Sequence, residues 1–285
     1  NAVKHLPLEP ELLAALPAQI DLRLVVTDMD GTLLDGQGRV PAGLMDAVAE
    51  MRDAGIVFAP ASGRQLETIL DMFEKAPNPV SVIAENGALV YHDGEIVSLT
   101  TIDKTATMRV LDAIAEHPEV GWEVTLCRAD GAFVGHTNEE FARLTAMYYH
   151  KLNVVDDVRD YVNDDVIKLA LFTRGDPEEV AETVLKDATG DDLAVVVSGT
   201  QSIDVIHQDI NKGIGLQELA AKVGVPLSQT LAFGDYLNDA ELLAAAGTSY
   251  AMANGHPQLK AAADHIAPSN EENGVVRVLQ QLLDS

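Results

Sequence analysis

The sequence has 285 residues, of which 47% are hydrophobic, and this length suits one large domain or two of moderate size with a substantial core. Its 19 Lys and Arg residues stand against 45 Asp and Glu residues, which gives a formal net charge of −26. Such an acidic chain is repelled by polyanions, which argues against nucleic acid or an anionic membrane as a partner. If the substrate is nevertheless anionic, the site must create a local positive potential from a metal ion, a few Lys or Arg side chains and backbone N–H groups.

The single cysteine, Cys127, cannot form an intramolecular disulfide and is typical of a reducing compartment. No apolar run approaches the roughly 20 residues needed to span a bilayer, and the first residues lack the basic-then-apolar pattern of a secretory signal. We therefore expect a cytoplasmic protein. Prolines interrupt residues 1–20, which we interpret as an N-terminal extension and to which we assign no function.

An apolar stretch that begins at Leu24 leads directly into Asp28, Asp30 and Gly31. Its short length and β-branched residues favour a strand that is buried on both faces. Side chains two apart on an extended chain point to the same side, so the two carboxylates would converge unless Gly31 bends the path first. Like charges so close together require a cation, a proton or both.

The next segment alternates helices and strands. After a glycine-rich loop at 31–38, the pattern predicts a helix at 41–55, a strand at 56–59, a helix at 65–73 and a strand at 81–84. This alternation is typical of a parallel sheet with helices on its faces, and it predicts the α/β class.

The pattern changes at Gly87. Asp93-Gly94 lies between two short alternating runs and predicts a hairpin. Further predicted helices lie at 104–116, 138–149 and 177–188, and strands at 122–126, 132–134, 166–172, 193–197 and 203–206. We interpret residues 87–208 as an α+β module inserted into a core domain that is formed by residues 21–86 and 209–285.

The parallel pattern resumes after Asn211. The predicted elements are a helix at 212–223, a strand at 230–233, a polar turn at 234–239, a helix at 240–246, a strand at 249–252 and a closing helix at 274–283.

Polar residues collect where four of the predicted core strands end. They are Asp28 and Asp30, Ser62 and Arg64, Asn86, and Asp235, Asn238 and Asp239. Ligands of open parallel sheets bind outside the carboxyl ends of the strands, so we expect these side chains to face one crevice. Lys212, at the start of a helix, is the best candidate for a cation beside them.

Carboxylate and carbonyl oxygens are hard ligands that suit Mg²⁺, whereas this set of residues includes no thiol or paired imidazole ligands for zinc. A divalent ion beside Lys212 and Ser62 would bind a phosphoryl group. Asp28 could then act as a nucleophile and form an aspartyl-phosphate. Asp30 could carry the proton to the leaving oxygen and later accept one from water.

Each of these signals is weak alone, because acidic residues are common in turns, serines cap helices and most lysines are on the surface. Their occurrence together and in order, each at a strand end or a helix start, favours phosphoryl transfer. Asp28-Met29-Asp30-Gly31-Thr32 resembles the first motif of haloacid dehalogenase superfamily phosphatases, Ser62 the second, Lys212 the third, and Gly234-Asp235-x-x-Asn238-Asp239 the fourth. The segment between the second and third motifs resembles a type IIB cap.

The resemblance is strongest to Cof-like sugar-phosphate phosphatases and runs from about Leu22 to the C-terminus. It implies a Rossmann-like parallel-sheet core with an inserted α+β cap. It also implies that Asp28 is the nucleophile and a Mg²⁺ ligand, that Asp30 is the acid/base whose backbone carbonyl touches the metal, and that Asp235 is the third ligand. The resemblance further implies that Asp239 supports the metal directly or through water and that Ser62 and Lys212 bind the phosphoryl group. It also implies that Gly63, Arg64, Asn86 and Asn238 lie on the substrate side, where Asn238 orients its neighbours.

We therefore expect a Mg²⁺-dependent phosphatase that acts on small phosphorylated metabolites, with sugar phosphates favoured, as a monomer or small homo-oligomer. One alternative is a phosphosugar mutase, which returns the phosphoryl group to another position of the sugar. The other is a non-enzymatic phosphoaspartate receiver module, which would need neither the cap nor a proton-carrying Asp30. We also expect the bend at Gly31 to direct the side chains of Asp28 and Asp30 to different places.

Overall fold

The computed structural model describes residues 21–284, so the interpretation of residues 1–20 as an extension concerns residues outside the described part. The chain divides into two compact units. The first comprises residues up to Ser98 and from Asn211 onward, and the second comprises Leu99–Ile210. The second unit is thus an insertion in the chain of the first. Within residues 21–284, no helix combines the length and the apolar character that crossing a membrane would require.

The strands in chain order are β1 (Leu24–Asp28), β2 (Val57–Ala61), β3 (Ser81–Ala84), β4 (Leu89–His92), β5 (Glu95–Leu99), β6 (Glu123–Arg128), β7 (Gly131–Val134), β8 (Leu152–Val154), β9 (Val166–Phe172), β10 (Leu193–Val197), β11 (Ser202–His207), β12 (Thr230–Gly234), β13 (Thr248–Met252) and β14 (His265–Ala267). The helices are α1 (Leu44–Asp53), α2 (Leu66–Met72), α3 (Lys104–Ala115), α4 (Glu139–Tyr148), α5 (three consecutive segments, Pro177–Val180, Ala181–Leu185 and Lys186–Thr189), α6 (Lys212–Val223), α7 (Ala240–Ala245), α8 (Pro257–Ala262) and α9 (Gly274–Asp284).

The first unit is built on an eight-stranded sheet in the order β14-β13-β12-β1-β2-β3-β4-β5. From β14 to β3 neighbouring strands are parallel, and β4 joins β3 in the antiparallel direction. Every residue of the central strand β1 is buried, as its continuous apolar sequence predicts. Leu216 and Leu219 of α6 pack with Val26 of β1 in one apolar cluster. The predicted α/β class is confirmed.

The second unit has its own six-stranded sheet in the order β10-β11-β9-β6-β7-β8. Its pairs are antiparallel except for β7 with β8. Leu126 of β6, Leu169 of β9 and Val205 of β11 pack with Val110 of α3 and Leu185 of α5 in the main apolar cluster of this unit. Capping side chains set the helix starts. Asp103, for example, accepts a hydrogen bond of 2.7 Å from the Ala106 N–H at the start of α3.

The predicted hairpin forms as β4 and β5, but the structure assigns it differently from our prediction. We expected the inserted module to begin at Gly87, whereas the second unit begins at Leu99. The reason is that β4 continues the first sheet: Ser81 pairs with His92 and Ala84 with Leu89. A hairpin signal in the sequence does not show which sheet the hairpin joins, because the partner strand is not part of the local pattern.

Three short elements were not predicted: β8, α8 and β14. Each has only three to six residues, which is too few for the apolar spacing of a helix or the alternation of a strand to be recognised in the sequence. Pro257 at the first position of α8 is a start signal for a helix, and the side chain of His256 caps that helix.

Replacing Leu169 by alanine is expected to destabilise the second unit by about 2–5 kcal/mol, because Leu169 is fully buried in its main cluster. The sole tryptophan, Trp122, packs against the same cluster, so its fluorescence during urea unfolding reports this unit. Leu144→Ala is the matched control, since Leu144 is 39% exposed in the same unit. Equal shifts of the unfolding midpoint in both variants would contradict this assignment of the core.

Candidate active site

The site lies at the carboxyl end of the first sheet, where β1 ends at Asp28. The carboxylate of Asp28 is largely buried, with 10% of the side chain exposed. The Lys212 ammonium donates to Asp28 Oδ1 over 2.6 Å and to Asp239 Oδ1 over 2.8 Å. One ammonium therefore joins two carboxylates that are distant in the sequence.

The start of α6 fixes the position of Lys212. Asn211 caps this helix by accepting a hydrogen bond of 2.9 Å from the Ile214 N–H, so Lys212 is the first helical residue. Gly87, with φ of +103°, makes this start possible, because a Cβ at that position would overlap the Asn211 carbonyl. A glycine between β3 and β4 thus lets α6 approach the sheet.

Asp235, at the end of β12, lies beside Asp28. The hydroxyl of Thr32 is within hydrogen-bonding distance of both carboxylates, 3.1 Å from Asp28 Oδ2 and 3.0 Å from Asp235 Oδ1. Gly31 has φ of +77°, and a Cβ there would overlap the Asp235 carboxylate. The turn after β1 can therefore contact Asp235 only because its third residue is glycine.

Asp239 is fully buried and stabilises the loop that carries Asp235. Its Oδ2 accepts hydrogen bonds from the backbone N–H of Asp235 over 3.0 Å and of Tyr236 over 3.4 Å. Its Oδ1 accepts the bond from Lys212. Asp239 thus links the cation to the loop.

Asp28, Asp235 and Asp239 can together hold a metal ion, because one carboxylate oxygen from each lies within 4.8 Å of the others. Three hard oxygen donors suit a divalent cation of the Mg²⁺ type, which completes its coordination with water and substrate oxygens. One ammonium cannot neutralise three carboxylates, so the charge of this cluster also fits an additional cation.

The electrostatics agree with this need for a cation. Burial raises the pKa of Asp28 well above its ordinary value, the Asp239 carboxylate raises it further, and the Lys212 ammonium opposes both. Burial likewise raises the pKa of Asp235. Burial alone would lower the pKa of Lys212, but Asp239 and Asp28 outweigh it and raise that pKa, so Lys212 is charged.

Asp30 lies apart from this cluster. Its carboxylate accepts two hydrogen bonds from Arg64, 2.8 Å from Nη2 and 3.3 Å from Nε, and 58% of its side chain is exposed. The chain leaves the strand at Met29 and turns through residues 29–33, so the separation from Asp28 begins before Gly31, the residue to which we attributed it.

The remaining predicted site residues occupy neighbouring loops of the first unit. Ser62 is buried just after β2, and its Oγ accepts a 3.0 Å hydrogen bond from the Arg64 N–H. Asn86 has φ of +60° and donates its backbone N–H to the Ser62 carbonyl over 3.0 Å. Gly63 lies against Asn86, since a Cβ at Gly63 would be 2.9 Å from Asn86 Oδ1. Asn238 is partly buried in the one-turn 3₁₀ helix Leu237–Asp239.

Two residues of the site were not assigned a role from the sequence. Thr32 stands between Asp28 and Asp235, and Asn254 donates a hydrogen bond of 2.9 Å from Nδ2 to the Gly31 carbonyl. Thr32 belongs to the first motif, which is a signal that could have indicated it. Asn254 follows β13 in a loop, and no local pattern identifies its partner.

The chain was compared with known families and proteins. Residues 25–279 match the model of the haloacid dehalogenase-like hydrolases. A curated relative, the 5-amino-6-(5-phospho-D-ribitylamino)uracil phosphatase YbjI of Escherichia coli (strain K12), is 32% identical over 93% of this chain and 97% of its own length.

Solved structures show the same fold. SMU.1108c from Streptococcus mutans UA159 superposes with a TM-score of 0.83 at 26% identity, covering 93% of this chain and 100% of that one. The subclass IIB sugar phosphatase BT4131 shares the fold, with a TM-score of 0.76 at 21% identity over 90% of this chain and 98% of its own. The chain therefore belongs to the haloacid dehalogenase-like hydrolase family and is a phosphatase of that type.

Proposed function

We propose that this protein is a Mg²⁺-dependent phosphatase of small phosphorylated metabolites, with phosphate esters of sugars or sugar alcohols as substrates. The observation that carries the proposal is the contact of the Lys212 ammonium with Asp28, beside Asp235 and Asp239. The name of the relative YbjI supports the substrate class, since that protein acts on a phosphate ester of a ribityl chain.

Asp28 is the nucleophile of the proposed reaction. Its contact with Lys212 favours the ionised carboxylate. An oxygen of Asp28 attacks phosphorus, the bond from phosphorus to the leaving oxygen breaks, and an aspartyl-phosphate results. Water then attacks the phosphorus of this intermediate, which releases inorganic phosphate and restores the carboxylate. Lys212 and the hydroxyl of Ser62 stabilise the phosphoryl oxygens in both steps.

Asp30 carries the proton in this proposal. It donates a proton to the leaving oxygen in the first step and takes one from the attacking water in the second. The two hydrogen bonds from Arg64 hold its carboxyl in one orientation. Asp28 has a different environment, since it is buried against Lys212, so the two carboxyls can perform different tasks.

Asp28, Asp235 and Asp239 would hold the metal ion. When bound, a divalent cation supplies positive charge to the phosphoryl oxygens and so provides part of the local positive potential that an acidic chain needs for an anionic substrate.

A phosphosugar mutase is the remaining alternative. Membership of a hydrolase family argues against the non-enzymatic receiver module. A mutase and a phosphatase share the first step, but a mutase returns the phosphoryl group to the sugar. Incubation with a sugar phosphate, followed by separation of the products, distinguishes them: we expect free sugar and inorganic phosphate, whereas a positional isomer of the sugar phosphate would indicate the mutase.

Replacing Asp28 by asparagine is expected to lower phosphate release by at least about 1,000-fold, because the amide cannot attack phosphorus. The measurement is phosphate release from a panel of sugar, sugar-alcohol and nucleotide phosphates, with and without Mg²⁺. Asp53→Asn is the matched control, since the Asp53 side chain is 73% exposed on α1 and paired with Arg52. Near-normal turnover by the Asp28 variant would refute the proposed mechanism.

Mg²⁺ is expected to raise the melting temperature of the protein, and more so as the pH rises. Burial raises the pKa of Asp28 and of Asp235, so in the absence of metal their contribution to stability is present at low pH and is lost as the pH rises through the raised pKa values. Bound Mg²⁺ offsets this loss because it favours the ionised carboxylates. Thermal unfolding from about pH 4 to pH 8, with Mg²⁺ or with EDTA, measures the effect.

The Asp235→Asn variant is the control for the metal experiment. We expect its melting temperature to respond much less to Mg²⁺, because it lacks one of three carboxylates. If the variant and the natural protein respond equally at every pH, the ion binds elsewhere and this assignment of the ligands is wrong.

A further inference from the structure

Tyr236 is joined to the acidic cluster through its backbone N–H, which donates to Asp239, but the proposed mechanism does not use its aromatic side chain. Tyr236 follows Asp235 in the loop after β12, and 50% of the residue is exposed. Single exposed apolar residues are common on protein surfaces and need no explanation by themselves. Tyr236 differs because its backbone and its ring are held in place by groups that also hold the active site.

Two contacts fix Tyr236. Its backbone N–H donates to Asp239 Oδ2 over 3.4 Å, the same oxygen that accepts from the Asp235 N–H. Its ring meets the imidazole of His256 edge to face, with centroids 5.6 Å apart and an angle of 83° between the planes. An edge-to-face pair has a favourable geometry and leaves much of the ring surface accessible.

His256 is itself held against the active site. Its backbone N–H donates to the Asp235 carbonyl over 2.7 Å, and its Nδ1 accepts a 3.1 Å hydrogen bond from the Gln258 N–H. The bond at Nδ1 fixes the ring orientation and leaves Nε2 to carry the proton of the neutral imidazole. The pair of Tyr236 and His256 is therefore pre-organised.

The segment that carries His256 is also joined to the turn after the nucleophile. Asn254 donates from Nδ2 to the Gly31 carbonyl over 2.9 Å, and its Oδ1 accepts a 3.2 Å hydrogen bond from the Asn270 N–H. The aromatic pair thus lies in the loops after β12 and β13, of which the first carries Asp235 and the second is hydrogen-bonded to the turn after Asp28. Neither ring belongs to the apolar cluster that contains Val26, Leu216 and Leu219.

We propose that Tyr236, supported by His256, contacts the leaving group of the substrate and favours phosphate monoesters whose alcohol carries a planar ring. The inference rests on the proposed function and narrows its substrate class. A tyrosine ring offers a flat, rigid surface with little conformational entropy to lose, and such a surface stacks on any planar π system. A small acyclic phosphate ester reaches the phosphoryl-binding groups but gains nothing from this ring.

The test compares riboflavin 5′-phosphate, which carries a planar ring system on a sugar-alcohol phosphate, with glycerol 3-phosphate, which carries none. In Tyr236→Ala, the ratio of kcat/KM for the first ester to that for the second should fall roughly 5- to 100-fold, the range for loss of one stacking contact. Most of the change should be in KM for the flavin ester. Tyr236→Phe should keep the ratio, because the ring is retained.

Leu237→Ala is the matched control, since Leu237 is the next residue of the same loop and 41% exposed. It should leave the ratio within about twofold of the natural protein, as expected for a surface apolar residue without a ligand contact. A fall in both kcat/KM values by the same factor in Tyr236→Ala would show that Tyr236 only supports Asp235, and it would overturn the inference. An unchanged ratio would overturn it as well.

Binding measurements separate this inference from the proposed function. In the Asp28→Asn background, calorimetry should show weaker binding of riboflavin 5′-phosphate when Tyr236→Ala is added, by a similar factor. If the natural protein hydrolyses neither ester but Tyr236→Ala still weakens binding selectively, the proposed function fails and the contact stands. If hydrolysis occurs and flavin binding does not depend on Tyr236, only the contact fails.

Discussion

The contact of Lys212 with Asp28 and Asp239 is the interaction on which the rest of the site depends. Buried carboxylates lose their hydration, and this loss is compensated only if a cation and good hydrogen bonds replace the water. Lys212 supplies one positive charge to a cluster that also contains Asp235. One ammonium does not compensate three carboxylates, so the cluster does not stabilise the fold by itself. It has the charge and the hard oxygen donors of a site that is completed by a divalent cation and a phosphoryl group.

The geometry of this cluster requires close packing of loops from distant parts of the chain. Lys212 and Asp28 are 184 residues apart, and they meet because β1 is central in the sheet and α6 begins close to it. Gly31 and Gly87 permit two close approaches at the site, one beside the Asp235 carboxylate and the other beside the Asn211 carbonyl. A side chain at Gly31 would displace the Asp235 carboxylate, and one at Gly87 would displace the backbone that precedes Lys212, so these positions constrain the site as well as the fold.

The sequence could predict the parts of the site that have local signals. Asp28 follows an apolar strand and Lys212 starts a periodic helix, so both positions follow from pattern and from the parallel topology. The bridge from Thr32 to Asp235 and the pair of Arg64 with Asp30 join residues that no local pattern relates. The start of the second unit at Leu99 could not be predicted for the same reason. Strand pairing, rather than the hairpin signal itself, decides which sheet the hairpin extends.

The turn after β1 gives two chemically identical side chains different properties. Because the chain leaves the strand at Met29, the Asp28 carboxylate is buried against an ammonium, while the Asp30 carboxylate is exposed and held by a guanidinium. In the proposed mechanism, the Lys212 ammonium favours the ionised Asp28 oxygen that attacks, against the effect of burial, which raises the pKa of Asp28. The exposure of Asp30 would let its carboxyl exchange protons with water and with a leaving group. If Asp30 had remained on the strand, its carboxylate would have added a further negative charge beside Lys212. A bend of a few residues thus lowers the repulsion between the two aspartates and gives them the different environments on which the proposed division of roles rests.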